Sequence, residues 1–148
     1  MDALDHKMLA ILSVDGRISI TDLADELPLS ISATRDRLKR LEASGAIDGF
    51  SVRINAAGLG RTIEALVDVR LGPSILTADA EEQIRAMTPV VDAMHLTGRF
   101  DMQLYVVARD VAELDHLLTQ LREDVGAEET NSRLVLRTLE GFPRNPFN

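Results

Sequence analysis

The hydrophobic period changes near residue 62, and that change restricts the chain to two differently built halves. Before it, apolar residues recur at three- and four-residue intervals, the spacing of helices: Leu4, Met8, Ile11 and Leu12, then Leu23, Ala24 and Leu27, then Ile31, Thr34, Leu38 and Leu41. After it, Ala65, Val67, Val69 and Leu71 alternate with Leu66, Asp68 and Arg70, the period of a strand. A chain of 148 residues has room for one domain or two small ones. Asn55-Ala56-Ala57-Gly58-Leu59-Gly60, two glycines among small residues, is the expected boundary. The expected organisation is a helical unit over 1–54, a linker over 55–61, a second unit over 62–140 and a loosely held tail over 141–148 that contains Pro and Asn.

The helical unit reads as three short helices. Asp2 or Asp5 suits the positive end of the first, Asp15-Gly16-Arg17 ends it, and Ser19 or Thr21 caps the second. Pro28 stops the second helix, Ser30 caps the third, and Gly45 follows its end near Ser44. On the third helix Ile31, Thr34, Leu38 and Leu41 form the expected buried face. Ser32, Asp36, Lys39 and Ala43 point the opposite way, flanked by Arg35 and Arg40. A helix held by one apolar stripe and offering short polar and basic side chains outward is what a major-groove reader needs. Residues 47–54 read as a small hairpin or a departing strand.

Charge has to be read locally. The formal net charge is −8, which opposes DNA as a whole, yet residues 30–44 hold four basic residues against two acidic ones. A DNA contact would rest on that patch, with modest non-specific affinity that falls with salt. Other chemistries lack their residues. There is no Cys, hence no disulfide, thiolate metal site or cysteine nucleophile. His6, His95 and His116 are widely spaced, and the adjacent pairs Glu81-Glu82 and Glu128-Glu129 do not face each other on a helix or a strand. No catalytic residues, metal ligands or cofactor are therefore expected. No run is apolar enough to span a bilayer, and no basic-then-apolar leader opens the chain, so the expected compartment is the cytoplasm, without a membrane partner.

The second half reads strand-helix-strand-strand-helix-strand. Its strands are centred on Ala65–Leu71, Val90–Thr97, Met102–Ala108 and Arg133–Leu139; the helices carry Leu76, Ala80, Ile84 and Met87, and Val111 to Val125. The predicted fold class is α+β, with this half a ferredoxin-like βαββαβ domain: a four-stranded antiparallel sheet with both helices on one face. Leu66 beside Val67, Tyr105 beside Val106, and Val135 beside Leu136 suggest apolar residues on both faces. The uncovered face is then expected to bury itself against another copy.

Several segments resemble the Lrp/AsnC (feast/famine) family of prokaryotic transcriptional regulators. They are Leu4-Asp5 with Met8-Leu9, Asp15-Gly16-Arg17, Leu23-Ala24, Leu29-Ser30, Arg37-Leu38-Lys39-Arg40-Leu41-Glu42, Gly45-Ala46-Ile47 with Gly49-Phe50, and Leu59-Gly60. In the second half Gly98-Arg99-Phe100-Asp101 fits the family's G-x-x-D turn, and Thr130-Asn131-Ser132 before Leu134-Val135-Leu136 fits its last strand. The resemblance implies an N-terminal winged-type helix-turn-helix that binds double-stranded DNA and a C-terminal effector and oligomerisation domain. It implies dimers assembling to tetramers or octamers, and an effector that is an amino acid or similar small metabolite. On the DNA side, Ser32, Asp36 and Lys39 are expected toward base edges, and Arg35, Arg37 and Arg40 toward phosphates, with a structural contact as the alternative for Arg37. On the effector side the expected residues are Thr97, Gly98, Arg99, Phe100 and Asp101, approached across subunits by Thr130, Asn131 and Ser132.

Three residues depart from the family pattern. Pro28 stands in the turn where Gly is common, and is expected to stiffen it. Thr34 brings a hydroxyl into the core. Asp36 on the DNA-facing side accepts from cytosine N4, pairs with Arg40 four residues on and positions it, or else simply weakens backbone affinity. Two other readings remain: a ligand-binding oligomeric scaffold that has lost DNA affinity, and a small α+β enzyme.

Overall fold

The structure, a computed structural model, describes residues 1–52 and 54–139. The chain divides into two compact units, one over the described residues to 52 and one over Ile54–Leu139. The expected tail lies outside the described residues.

Side-chain caps set the three helices of the first unit. Helix α1 (Ala3–Val14) opens on Asp2, whose carboxylate accepts the Asp5 amide at 2.8 Å while Asp5 accepts the Asp2 amide at 2.8 Å. Helix α2 (Ile20–Glu26) is capped by Ser19, and α3 (Ile31–Ala43) by Ser30, whose hydroxyl accepts the Ala33 amide at 3.2 Å. Met8, Leu9, Leu23, Leu27 and Leu41 form the buried core, with Leu38 and Ile47 packed against it. Two expectations fail. Ile31 sits in the first turn of α3 and is 44% exposed, so the buried face is Thr34 and Leu41 with Leu38 at its margin. No strand forms over residues 47–52 among the described residues, so no wing is seen there; Ile47 packs on the helices, and a lone strand has no ladder partner.

The α2–α3 turn has an unusual occupant. The Leu29 amide donates to the Ala24 carbonyl at 3.0 Å, the bond of a helix terminus that places its intervening residue in the left-handed region. That residue is Pro28, at φ 25°, where its ring prefers about −65°. The turn forms, and the proline is strained in it instead of stiffening it.

The second unit contains β1 (Ile63–Leu71), α4 (Thr77–Arg85), β2 (Val90–His95), β3 (Met102–Ala108), α5 (Val111–Glu123) and β4 (Ala127–Leu134). The sheet is antiparallel in the order β2-β3-β1-β4. Ala65, Val67 and Val69 of β1 and Met102, Leu104 and Val106 of β3 pack with Ala80 and Ile84 of α4 and Leu114, Leu117 and Leu121 of α5. Both helices therefore cover one face.

The last strand is displaced from its expected place at Arg133–Leu139. Its residues are mostly polar because it is an edge strand held through its backbone to β1. The apolar run Leu134–Leu136 that drew the expectation lies largely past its end.

The opposite face of the sheet is not the broad apolar surface that was expected. It carries Glu64, Leu66, Asp68 and Arg70 of β1, Asp92 and Met94 of β2, Gln103, Tyr105 and Val107 of β3, and Asn131 and Arg133 of β4, a mixed surface placed together by the register. Asp68 is buried there beneath a hydrogen-bond network: Arg133 donates to its two oxygens at 3.0 and 2.8 Å, Gln103 at 2.7 Å and Asn131 at 3.3 Å. Tyr105 donates to Glu64 beside it. An apolar face therefore gives no argument for a second copy.

Candidate nucleic-acid interface and effector site

Helix α3 turns Thr34 and Leu41 into the core and leaves Ser32, Arg35, Asp36, Lys39 and Arg40 exposed. These five share the outward side because α3 is anchored from below by that short stripe. The side chain of Asp36 has no hydrogen bond or ion pair among the described residues, so its expected pairing with Arg40 is not formed. Arg40 turns instead to Asp5 of α1, its Nη2 2.9 Å from Oδ1.

Arg37 takes the structural alternative. Its Nη1 donates to both Asp2 oxygens at 2.6 and 2.7 Å and to Asp5 Oδ1 at 2.5 Å. These contacts raise the Arg37 pKa and lower both aspartates. For Asp2 the Arg37 hydrogen bond is the main cause. For Asp5 the Asp2 amide comes first, and the carboxyl falls to about 2. Thr34 Oγ1 is buried with no partner among the described residues.

The expected effector turn is tightly braced. Leu96 donates its amide to the Asp101 carbonyl at 2.9 Å, and Asp101 donates its own to the Val69 carbonyl at 2.9 Å. The Asp101 carboxylate accepts the Leu71 amide at 2.7 Å. Gly98 has φ 116°, a conformation that L side chains rarely adopt, which explains glycine there. Arg99 lies 5.4 Å from the Phe100 ring centroid and pairs with Glu129 of β4. Thr97 is exposed just before the turn.

The triplet on β4 is split between the two faces of the sheet. Thr130, Asn131 and Ser132 pair with Val69, Asp68 and Val67 of β1. Because side chains alternate along a strand, Asn131 shares the polar face with Asp68 while Thr130 and Ser132 share the other. Within the chain, the residues meeting near the turn are Arg99, Glu129 and Arg70, with Arg70 Nη2 3.3 Å from Glu129 and 3.4 Å from Glu128. Sequence reading missed Arg70 and Glu129. The visible signal was the charge of Arg70 at alternate positions with Asp68 and Glu64 along β1.

A cleft of about 720 Å³ lies elsewhere, lined by Met87, Pro89, Arg109, Glu113 and His116 among others. No group of three His, Cys, Asp or Glu side chains among the described residues could hold a metal ion. No helix among them is long and apolar enough to cross a membrane.

Comparison with known proteins follows the same division. A family model described as the AsnC-type helix-turn-helix domain matches residues 1–42, and one described as the Lrp/AsnC ligand binding domain matches residues 64–143. The transcriptional regulator LrpA of Mycobacterium tuberculosis is 30% identical over 139 residues, covering 93% of this chain and 91% of that protein. Ptr1 of Methanocaldococcus jannaschii, also an HTH-type transcriptional regulator, is 28% identical over 148 residues, covering 99% of each. Among solved structures, a transcriptional regulator of Neisseria meningitidis in complex with L-Met superposes with a TM-score of 0.88 at 25% identity, covering 100% of this chain and 97% of that one.

Proposed function

The chain belongs to the Lrp/AsnC family of DNA-binding transcriptional regulators, and from that premise we propose how its two units divide the work. The helical unit reads duplex DNA with α3. Ser32, Asp36 and Lys39 face base edges, and Arg35 and Arg40 face phosphates, while Arg37 serves the fold. Asp36, unpartnered within the described residues, is the acceptor for a cytosine N4 amino group. The observation that carries this reading is the exposure of these side chains on a helix whose Thr34 and Leu41 are buried.

The second unit takes an amino acid or a similar small metabolite at the turn from Gly98 to Asp101, with Thr97, Arg99 and Phe100 beside it and Thr130, Asn131 and Ser132 contributed by another subunit. Dimers assemble further into tetramers or octamers in the cytoplasm, and the effector acts by preferring one assembly state. The regulator solved with L-Met supports an amino-acid ligand by likeness. The chain needs no catalytic residue, metal or cofactor for this role.

The test is binding to DNA from immediately upstream of the protein's own gene, over a salt series, with and without the twenty amino acids. Saturable, sequence-selective protection that shifts with the mixture is expected. Selective protection that never shifts overturns the amino-acid effector. Absence of selective protection there and on a randomised duplex library at low salt overturns the assignment of α3.

A further inference from the structure

The helix assigned to DNA is tied to α1 through two of its own arginines. Arg37 places one guanidinium nitrogen within 2.5–2.7 Å of oxygens of Asp2 and Asp5, and its side chain is 16% exposed. Arg40, three residues on, gives one nitrogen to the same Asp5 oxygen while its side chain stays 60% exposed. Asp5 is 2% exposed and also accepts the Asp2 amide. The carboxylate is thus surrounded by donors, and its position is fixed by the capping box at the start of α1.

This arrangement sets the charge a duplex would meet. Residues 30–44 carry four basic residues against two acidic ones, and Asp2 with Asp5 brings two more negative charges against Arg37 and Arg40. We infer that Asp5 is a positioning residue for DNA recognition: together with Asp2 it withdraws Arg37 from the phosphate backbone, and alone it holds Arg40 with its remaining N–H groups open to a phosphate. The inference rests on α3 being the DNA-facing helix. Its consequence is a protein that gives up non-specific affinity for a fixed register, because each cation withdrawn from the backbone removes sequence-independent attraction, whereas an oriented one places the helix.

The experiment selects a duplex from a randomised library with the parent protein. Parent, Arg37→Gln, Arg40→Gln and Asp5→Asn are then titrated over a salt series on that duplex and on a scrambled one of the same composition. Arg40→Gln is expected to flatten the log–log salt slope by about one, and Arg37→Gln to leave it unchanged. Asp5→Asn is expected to bind the scrambled duplex several-fold tighter at low salt while the ratio of selected to scrambled affinity falls about tenfold. A merely structural role would move both duplexes together. Overturning results are an Arg37→Gln slope as flat as that of Arg40→Gln, or an Asp5→Asn protein of retained helicity whose two affinities change by the same factor. If Asp5→Asn does not fold, the two arginine variants decide the matter alone. A parent that selects no duplex overturns the DNA-facing assignment, and the inference with it.

Discussion

The Asp101 carboxylate accepts the Leu71 amide at 2.7 Å, so the turn after β2 is pinned to the end of β1. Asp101 also donates its amide to Val69 and accepts that of Leu96. A residue expected to hold an effector therefore also closes the sheet, and the two roles separate by measurement. Asp101→Ala should lower the unfolding free energy by about 1–2 kcal/mol, the worth of a hydrogen bond to a charged acceptor at a partly exposed site. Urea denaturation reads it. An unchanged midpoint would leave Asp101 with no bracing role, and effector binding by the variant then needs no correction for lost stability.

Pro28→Gly should stabilise the helical unit. Proline at φ 25° lies far from its preferred geometry and has no amide for the Asp25 carbonyl, while the neighbouring bond from Leu29 to Ala24 is already made. Glycine accepts the left-handed conformation and restores the missing donor. Against its larger unfolded-state entropy, the net gain is about 1–2 kcal/mol. A lower melting temperature for the glycine variant would show that the turn is not strained.

How far the fold was legible follows from where side-chain chemistry was local. Asp2, Ser19 and Ser30 cap helices through neighbours three residues away, and the alternation Ala65, Val67, Val69 marks the covered face of the sheet. What escaped was set by distant partners. For Arg37 a phosphate contact and a structural one both stayed open in the sequence, because the partners that decide it are 32 and 35 residues away. The strand Ala127–Leu134 escaped because its place comes from backbone pairing with β1 and not from apolar residues. Asp68 and Arg70 were visible as alternating charges, yet adjacent apolar pairs such as Leu66 and Val67 outweighed them in predicting an apolar outer face. The site followed the same rule: the turn from Gly98 to Asp101 could be read, whereas Glu129 joins it only through the folded sheet.

Thr34→Val removes a buried hydroxyl with no partner among the described residues and keeps the shape of the side chain. An unsatisfied buried polar group costs about 1–3 kcal/mol, so the variant should be more stable by about 1 kcal/mol once small repacking losses are included. DNA affinity should not change, since Thr34 faces the core. Reduced stability would show that the hydroxyl is satisfied.

Asp68 is the acceptor for Gln103, Asn131 and Arg133, and it binds three strands on their polar face. Asp68→Ala leaves these donors without their shared partner and should cost about 2–3 kcal/mol. Arg133→Met in the Asp68→Ala background should recover part of the loss, because the orphaned cation is gone. A double-mutant cycle on unfolding free energies measures the coupling, and strictly additive effects would dissolve the proposed network.

Acid should weaken the helical unit through Asp5. Its carboxyl is held at about 2 instead of the ordinary 3.8, mainly by the Asp2 amide and then by Arg37 and Arg40, against the opposing effect of burial. Asp2 is lowered as well, chiefly by Arg37. A carboxyl whose folded value lies below its unfolded one stays ionised in the folded state after the unfolded chain has begun to take up protons. Its contribution is therefore complete above the unfolded value and is lost as pH falls through the folded one. The melting temperature should be level from about pH 7 to about pH 5 and decline between about pH 4 and about pH 2. Glu113, lowered chiefly by the Arg109 amide, contributes an acid-side decline in the other unit, so the parent curve alone does not isolate Asp5. Asp5→Asn does: its curve should start lower at neutral pH, fall less across the acid window and approach the parent near about pH 2. Circular dichroism melts of parent and variant supply the comparison. Parallel curves across the window would show that the contacts of Asp5 with Arg37 and Arg40 do not hold its charge in the folded protein.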